Sequence, residues 1–171
     1  GKREVCSILN QLEKAEQKLF TANAVVNGIL NMKYVEIEAK QIEAKLDVKL
    51  PEILGITGTD LGVLFGNILD NAIEANGRIP EKERKELSFW IEEDSDSCTV
   101  KLRNALASKE VFNLSTWKTD GAEHGVGTKI IRAIVEKYHG TSKTFWDKER
   151  HSLEQTIVFP IEHPTEKREK E

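Results

Sequence analysis

The chain is poor in several things, and each shortage narrows what it can be. It has two cysteines, Cys6 and Cys98, in 171 residues. They are far apart and lack C-x-x-C spacing, so they read as reduced thiols rather than a disulfide framework or a zinc module. Four prolines and 6% aromatic residues leave no proline-rich or low-complexity segment. No stretch approaches the roughly 20 apolar residues of a membrane span, and the first residues carry no signal-peptide pattern. The expectation is a cytoplasmic polypeptide that makes no membrane contact itself, either free or as the cytoplasmic part of a membrane-bound receptor. An excess of basic charge is also missing. Lys and Arg number 25 against 29 Asp and Glu, a net charge of −4, which is not the footprint of a nucleic-acid binder.

What is present is an ordinary globular balance, 39% apolar and 32% charged, in a chain long enough to bury one core. Residues 2–20 place Val5, Ile8, Leu9, Leu12, Ala15 and Leu19 at helical spacing and read as an amphipathic helix. Thr21 offers an N-cap for a second helix over 22–43, with Val26, Ile29, Leu30, Tyr34 and Ile37 on one side. Residues 45–50 alternate Leu46, Val48 and Leu50 with polar residues, a strand ended by Pro51. Thr59 or Asp60 is positioned to cap the next helix. Residues 87–93 and 98–104 form a hairpin, and 105–123 is a long polar loop of the kind that serves a site. A helix over 126–138 stops at Gly140, and 141–146 and 153–161 are closing strands. The fold class that follows is α+β: a two-layer α/β sandwich, with a mixed sheet of four or five strands and helices on one face. It divides into 1–20, an N-terminal helix remnant; 21–162, the main domain; and 163–171, a charged tail.

Two segments carry the chemistry. In 64–76 (LFGNILDNAIEAN) Asn67, Asp70, Asn71 and Glu74 fall at i, i+3, i+4 and i+7 and share a helical face about 100° wide, at roughly 100° per residue. Leu61, Leu64, Phe65, Ile68, Leu69, Ala72 and Ile73 occupy the other side. Asn is a poor helix former because its amide competes for backbone hydrogen bonds, so two of them one turn apart suggest a face that works on a ligand. The second segment, 124–140 (HGVGTKIIRAIVEKYHG), is a Gly-x-Gly turn opening into an apolar-periodic helix, which presents backbone N–H groups to phosphate. Gly125 and Gly127 remove side chains where a polyphosphate approaches, and Lys129 and Lys118 can add point charges. A nucleoside triphosphate arrives with Mg²⁺, a hard cation that accepts oxygen ligands. The side-chain oxygen of Asn71 can supply one without adding negative charge.

Taken with the order of elements, these segments resemble the ATP-binding catalytic domain of the GHKL superfamily (Bergerat fold). Within it, the chain is most similar to sensor histidine kinases of the peptide-pheromone, quorum-sensing receptor type from Gram-positive bacteria. GNILDNAIEA at 66–75 resembles that family's N box, HGVGTKII at 124–131 its second glycine box, and LSTWKTD at 114–120 its lid. The resemblance implies ATP and Mg²⁺ as ligands, with Asn71 on the metal. Asn67, Asp70, Glu74 and Lys118 would lie around the nucleotide, and His124, Gly125, Val126, Gly127, Thr128 and Lys129 would form the lid hinge and phosphate turn. Where most of the superfamily has an Asp-x-Gly-x-Gly box, this chain reads Arg103-Asn104-Ala105-Leu106. Asn104 can accept the adenine amino hydrogen bond, without the charge assistance of a carboxylate. Hydrolytic members place a Glu where this chain has Asn67, and an amide has no useful basicity near neutral pH.

The implied activity is therefore transfer of the ATP γ-phosphoryl to a histidine, with Asn67 and Asn71 as the catalytic pair. The alternatives are a non-catalytic nucleotide-sensing module and a hydrolytic ATPase. The four histidines, His124, His139, His151 and His163, all fall within the nucleotide fold or its tail, so the acceptor histidine belongs elsewhere. The implied partners are the phosphoacceptor and dimerisation helices of the parent kinase, itself a homodimer, and a response regulator.

Overall fold

The computed structural model describes residues 17–52, 54–109 and 126–161. In chain order its elements are α1 (Ala24–Ala39), β1 (Glu43–Asp47), α2 (Gly58–Gly77), β2 (Glu86–Glu93), β3 (Ser97–Ala105), α3 (Val126–Lys137), β4 (Thr141–Asp147) and β5 (Ser152–Pro160). They build a five-stranded sheet in the order β1-β2-β3-β5-β4. The β1–β2 pair is parallel and the others are antiparallel, so the sheet is mixed, as expected. β2 and β3 alternate half-buried with fully buried positions, the period of strands with one face on a core.

Helices supply the other side of that core. Leu61, Leu64, Phe65, Ile68, Leu69, Ala72 and Ile73 of α2 are all buried, with Val26, Leu30 and Ile37 of α1 and Ile131, Ile134 and Val135 of α3. The Phe65 and Phe89 rings meet edge-on at 5.1 Å between centroids, joining α2 to the middle of the sheet in the geometry aromatic quadrupoles favour. Cys98 is buried in the same layer. Burial first, and the charge of Glu93 second, push its thiol pKa up to about 11, so it is a protonated packing residue at neutral pH. The opposite sheet face is polar: Lys101 reaches Glu92 at 2.9 Å and Arg103 reaches Glu154 at 2.7 Å. Trp90 lies there too, its indole donating to Glu92, rather than in the core.

Several boundaries differ from the sequence reading. α1 is capped by Asn23, whose Oδ1 accepts from Val26 N at 3.1 Å, and not by Thr21. Residues 17–20 are not helical; they run back along α1, Lys18 N donating to Asn31 Oδ1 and Phe20 N to Asn27 Oδ1. The rest of the expected 2–20 helix, Cys6 and the tail lie outside the described residues. α1 ends at Ala39 rather than 43 because the chain reverses at Gln41, φ 56°, and Glu43 already pairs with Glu86. β1 accordingly starts and stops earlier than 45–50. Thr57, not Thr59 or Asp60, caps α2, its hydroxyl accepting from Asp60 N at 3.1 Å; Asp60 is left free for a tertiary role.

The fold predicts a contrast between two phenylalanines. Phe65→Ala removes a fully buried ring and is expected to cost about 3–5 kcal/mol of unfolding free energy. Phe145→Ala, at a position 64% exposed, stays within about 0.5 kcal/mol. Urea denaturation followed by circular dichroism measures both.

Candidate functional site

α2 and α3 lie antiparallel, and their two ends are fixed differently. At the start of α2, Asp60 Oδ2 accepts from Lys137 Nζ at 2.8 Å and from the Tyr138 hydroxyl, at the end of α3. The Lys137 hydrogen bond, then that of Tyr138, holds the Asp60 carboxyl below the usual carboxylate range. At the other end α3 opens against the polar face of α2. A Cβ placed on Gly127 would lie 2.9 Å from Asn67 Oδ1 and 3.8 Å from Asn71 Oδ1. Asn67 is oriented by its own helix, its Nδ2 donating to Val63 O at 2.7 Å, which turns its oxygen toward the glycine. A side chain at 127 would have to displace this amide, and a backbone left bare is what a phosphate needs.

The arc of four polar residues divides at this point. With Asn67 as origin, Asn71 lies about 40° to one side and Asp70 about 60° to the other, at roughly 100° per residue. The Asn71 edge faces α3. The Asp70 edge faces α1, where its carboxylate takes an ion pair from Lys33. Glu74 pairs with Arg78 along α2 at 3.4 Å. The structure thus brings Asn67 and Asn71 to Gly127 and engages Asp70 and Glu74 in ion pairs. Asn71 is exposed, and its amide oxygen is a neutral, hard donor of the type Mg²⁺ accepts beside phosphates. Among the described residues no cluster of three or more His, Cys, Asp or Glu is arranged to hold a metal.

Around this pair stand the remaining candidates. Val126, Gly127, Thr128 and Lys129 form the first turn of α3, whose N–H groups lack intrahelical partners and whose dipole end is positive. Thr128 is half-buried and Lys129 exposed. Asn104, 4% exposed, closes β3; its Nδ2 donates to Ala105 O at 2.9 Å and its oxygen stays available as an acceptor. Leu106 N donates to His151 O at 2.7 Å, fastening the chain after Asn104 to the start of β5. His139 and His151 are turn residues with φ 55° and 47°. Lys118, His124 and Gly125, with Trp117 and His163, lie outside the described residues.

Sequence reasoning missed three residues that set this geometry. Asp60 was read only as a possible cap, and Lys33 was not singled out. Asn76, fully buried, donates to Ala72 O and Glu86 O and ties the end of α2 to β2. An Asn continuing the polar series of α2 into its apolar side was the available sign.

Residues 56–160 match the family model described as a GHKL domain, and the chain belongs to that family. A probable C4-dicarboxylate sensor kinase of Halalkalibacterium halodurans is 32% identical over 94 residues, half of this chain and 17% of the relative; the chain spans about a sixth of that protein. Among solved structures, the nucleotide-free catalytic domain of histidine kinase ThkA superposes with TM-score 0.66 at 16% identity, covering 83% of this chain and 94% of that one. The Acinetobacter baumannii histidine kinase AdeS gives 0.63 at 16% identity, covering 94% and 79%. The mycobacterial sensor histidine kinase MprB gives 0.54 at 17%, covering 80% and 93%. At these identities the likeness is one of fold: an α+β GHKL sandwich of the kind found in histidine kinase catalytic domains.

Two outcomes follow from the geometry. Gly127→Ala forces a methyl against Asn67 Oδ1, so its destabilisation should shrink in an Asn67→Ala background, with a coupling on the order of 1 kcal/mol; additive thermal melts would contradict the contact. Asp60 contributes stability above the ordinary carboxylate pKa that is lost as pH falls through its lowered folded value. The Tm of Asp60→Asn should therefore respond less than wild type to acidification in that range, measured by scanning calorimetry.

Proposed function

We propose that this chain is the ATP-binding catalytic domain of a sensor histidine kinase, transferring the γ-phosphoryl of ATP to a histidine on a separate dimerisation domain. The observation that carries the reading is the convergence of Asn67 and Asn71 on the side-chain-free backbone of Gly127, together with membership of the GHKL family. The sensor-kinase relative and the fold likeness support it. So does the absence of a carboxylate one turn before Asn71: Asn67 cannot activate water, which disfavours the hydrolytic ATPase.

In this reading the protein contributes position and charge rather than covalent chemistry. The first turn of α3 directs its N–H groups and positive dipole end at the phosphates, Lys129 and Lys118 add charge, and Asn104 accepts from the adenine amino group. Asn71 holds the Mg²⁺ that accompanies the nucleotide; when bound, that ion offsets phosphate charge. Asp70, through Lys33, and Asp60, through Lys137 and Tyr138, act by keeping α2 in place between α1 and α3. The partners are then the phosphoacceptor helices of a homodimeric parent and a response regulator. The peptide-pheromone receptor subtype is our finer assignment, supported by the 66–75 and 124–131 motifs and by Asn104 in place of Asp.

A second reading, a nucleotide-sensing module without phosphotransfer, is favoured by one observation. Ala105 and Leu106 are buried, 8% and 5% exposed, where the family has flexible glycines. Calorimetry with Mg-ATP tests the binding claim. Asn71→Ala should weaken Mg-ATP affinity by roughly tenfold or more, about 1.4 kcal/mol, while leaving the melt in the absence of nucleotide nearly unchanged; unaltered affinity would end the assignment. Labelled ATP with the parent's phosphoacceptor helices supplied in trans separates the readings: an acid-labile, base-stable phosphohistidine is the kinase outcome, and nucleotide binding without it is the sensing module.

A further inference from the structure

The peptide unit that closes β3 is held on both of its polar sides. Asn104 continues the buried row of Cys98, Val100 and Leu102 along β3, so alternation places it on the helix side of the sheet. Its Nδ2 donates to Ala105 O at 2.9 Å. The Leu106 N–H belongs to the same peptide unit as that carbonyl, and it donates to His151 O at 2.7 Å. A peptide unit is planar, so holding its N–H also sets the direction of its C=O. His151 offers its carbonyl from the turn before β5, where its φ is 47°, and Ala105 itself pairs with Ser152 in the ladder.

A second hold lies just beyond. Glu83, in the turn between α2 and β2, accepts the Ser108 N–H at 2.9 Å and the Ser108 hydroxyl at 2.8 Å, one on each oxygen. The Ser108 N–H first, and its hydroxyl second, keep the Glu83 carboxyl below the usual carboxylate range. It is therefore ionised at neutral pH and a strong acceptor. Leu106, between the two holds, has its side chain buried. The chain leaving β3 is thus fastened to the start of β5 on one side and to the end of α2 on the other.

The consequence falls on the amide of Asn104. A carboxamide accepts on one side and donates on the other, and turning it over exchanges the two. Here the exchange would set Oδ1 against Ala105 O, two acceptors at hydrogen-bond distance, and would lose a bond in a buried layer. Among the described residues nothing donates to Oδ1, so the oxygen is the side left for a ligand. A carboxylate would need no such arrangement, because both of its oxygens accept. We propose that the Ala105–Leu106 peptide, held by the His151 carbonyl and through Ser108 by Glu83, fixes the Asn104 amide oxygen toward the base and so selects adenine over a purine with an oxo group in place of adenine's amino group. The inference rests on the ATP-binding reading and adds His151 and Glu83 to it as positioning residues. The amino group donates to the fixed oxygen. An oxo group meets it as a second acceptor, and the amide cannot turn over to offer its N–H instead.

The test is calorimetry of the whole chain with the Mg²⁺ complexes of ATP, of ITP, which carries the oxo group, and of purine riboside triphosphate, which carries hydrogen there. The expected preference of the wild type for ATP over ITP is roughly tenfold or more. Replacing the Leu106 peptide nitrogen by an ester oxygen, with the leucine side chain kept, removes the hold from His151. Glu83→Ala removes the hold on Ser108. Both changes should lower the ATP-to-ITP ratio severalfold, while purine riboside triphosphate, which makes no demand on Asn104, binds as it does to wild type. An unchanged ratio in the ester variant would overturn the proposal, and so would equal losses for all three nucleotides, the mark of a merely structural contact. Should the ester variant fail to fold by circular dichroism, Glu83→Ala is judged by the same two outcomes. Asn104→Leu separates the inference from the reading beneath it. A ratio that collapses in Asn104→Leu but survives the ester keeps the adenine contact and removes the lock. A wild-type chain that binds none of the three nucleotides ends the ATP-binding reading and this inference with it.

Discussion

The antiparallel packing of α2 on α3 is the constraint on which the rest of the site depends. One end is held by a carboxylate that accepts both an ammonium and a phenol hydrogen. At the other, the side-chain amides of Asn67 and Asn71 stand beside Gly127, where a Cβ would crowd Asn67. A rigid helix pair fixed at one end sets the spacing at the other, because two helices closed on shared core residues slide only by losing interdigitated contacts. The asparagine end can therefore stay polar without the pair drifting apart.

α2 carries two kinds of load on one cylinder. Its apolar side joins the sheet through Phe65 and Phe89, and its polar arc is divided between neighbours. Asp70 and Lys33 tie it to α1, Glu74 and Arg78 stay along the helix, and the two asparagines meet α3. This division gives physical content to an amide-rich face. Amides carry no net charge, so they can stand beside a phosphate-binding turn without repelling its ligand, whereas a carboxylate in the same place is better spent on a lysine. The sheet shows the complementary logic. Its inner face is filled by apolar residues as far as β5, and at the edge strand Ser142 and Thr144 interrupt that filling.

Much of this was legible in the residues. The 3.6-residue period of α2, the two-residue period of β2 and β3, and the Gly-x-Gly pattern leading into an apolar-periodic segment marked the elements and their type, because burial of one face imposes those periods on any helix or strand. The Asn67 and Asn71 pair and Gly127 stood out for the same reason: each is unfavourable in an ordinary helix and so needed another explanation. The boundaries were less legible. Thr21, Asn23, Thr57, Thr59 and Asp60 are all competent caps, and which of them caps depends on where neighbouring chain turns, as Gln41 and the Lys18–Asn31 contact illustrate.

The sequence by itself determined that a polar arc and a glycine turn exist on two helices of a mixed-sheet sandwich, since local periodicity and propensity act within each segment. Only the tertiary structure decided which edge of the arc meets the glycine and that Asp60 clasps the far end. Those outcomes depend on the rotation of each helix about its axis and on the neighbour it meets, quantities to which residues fifty or more positions apart contribute jointly and which no single window of the chain contains.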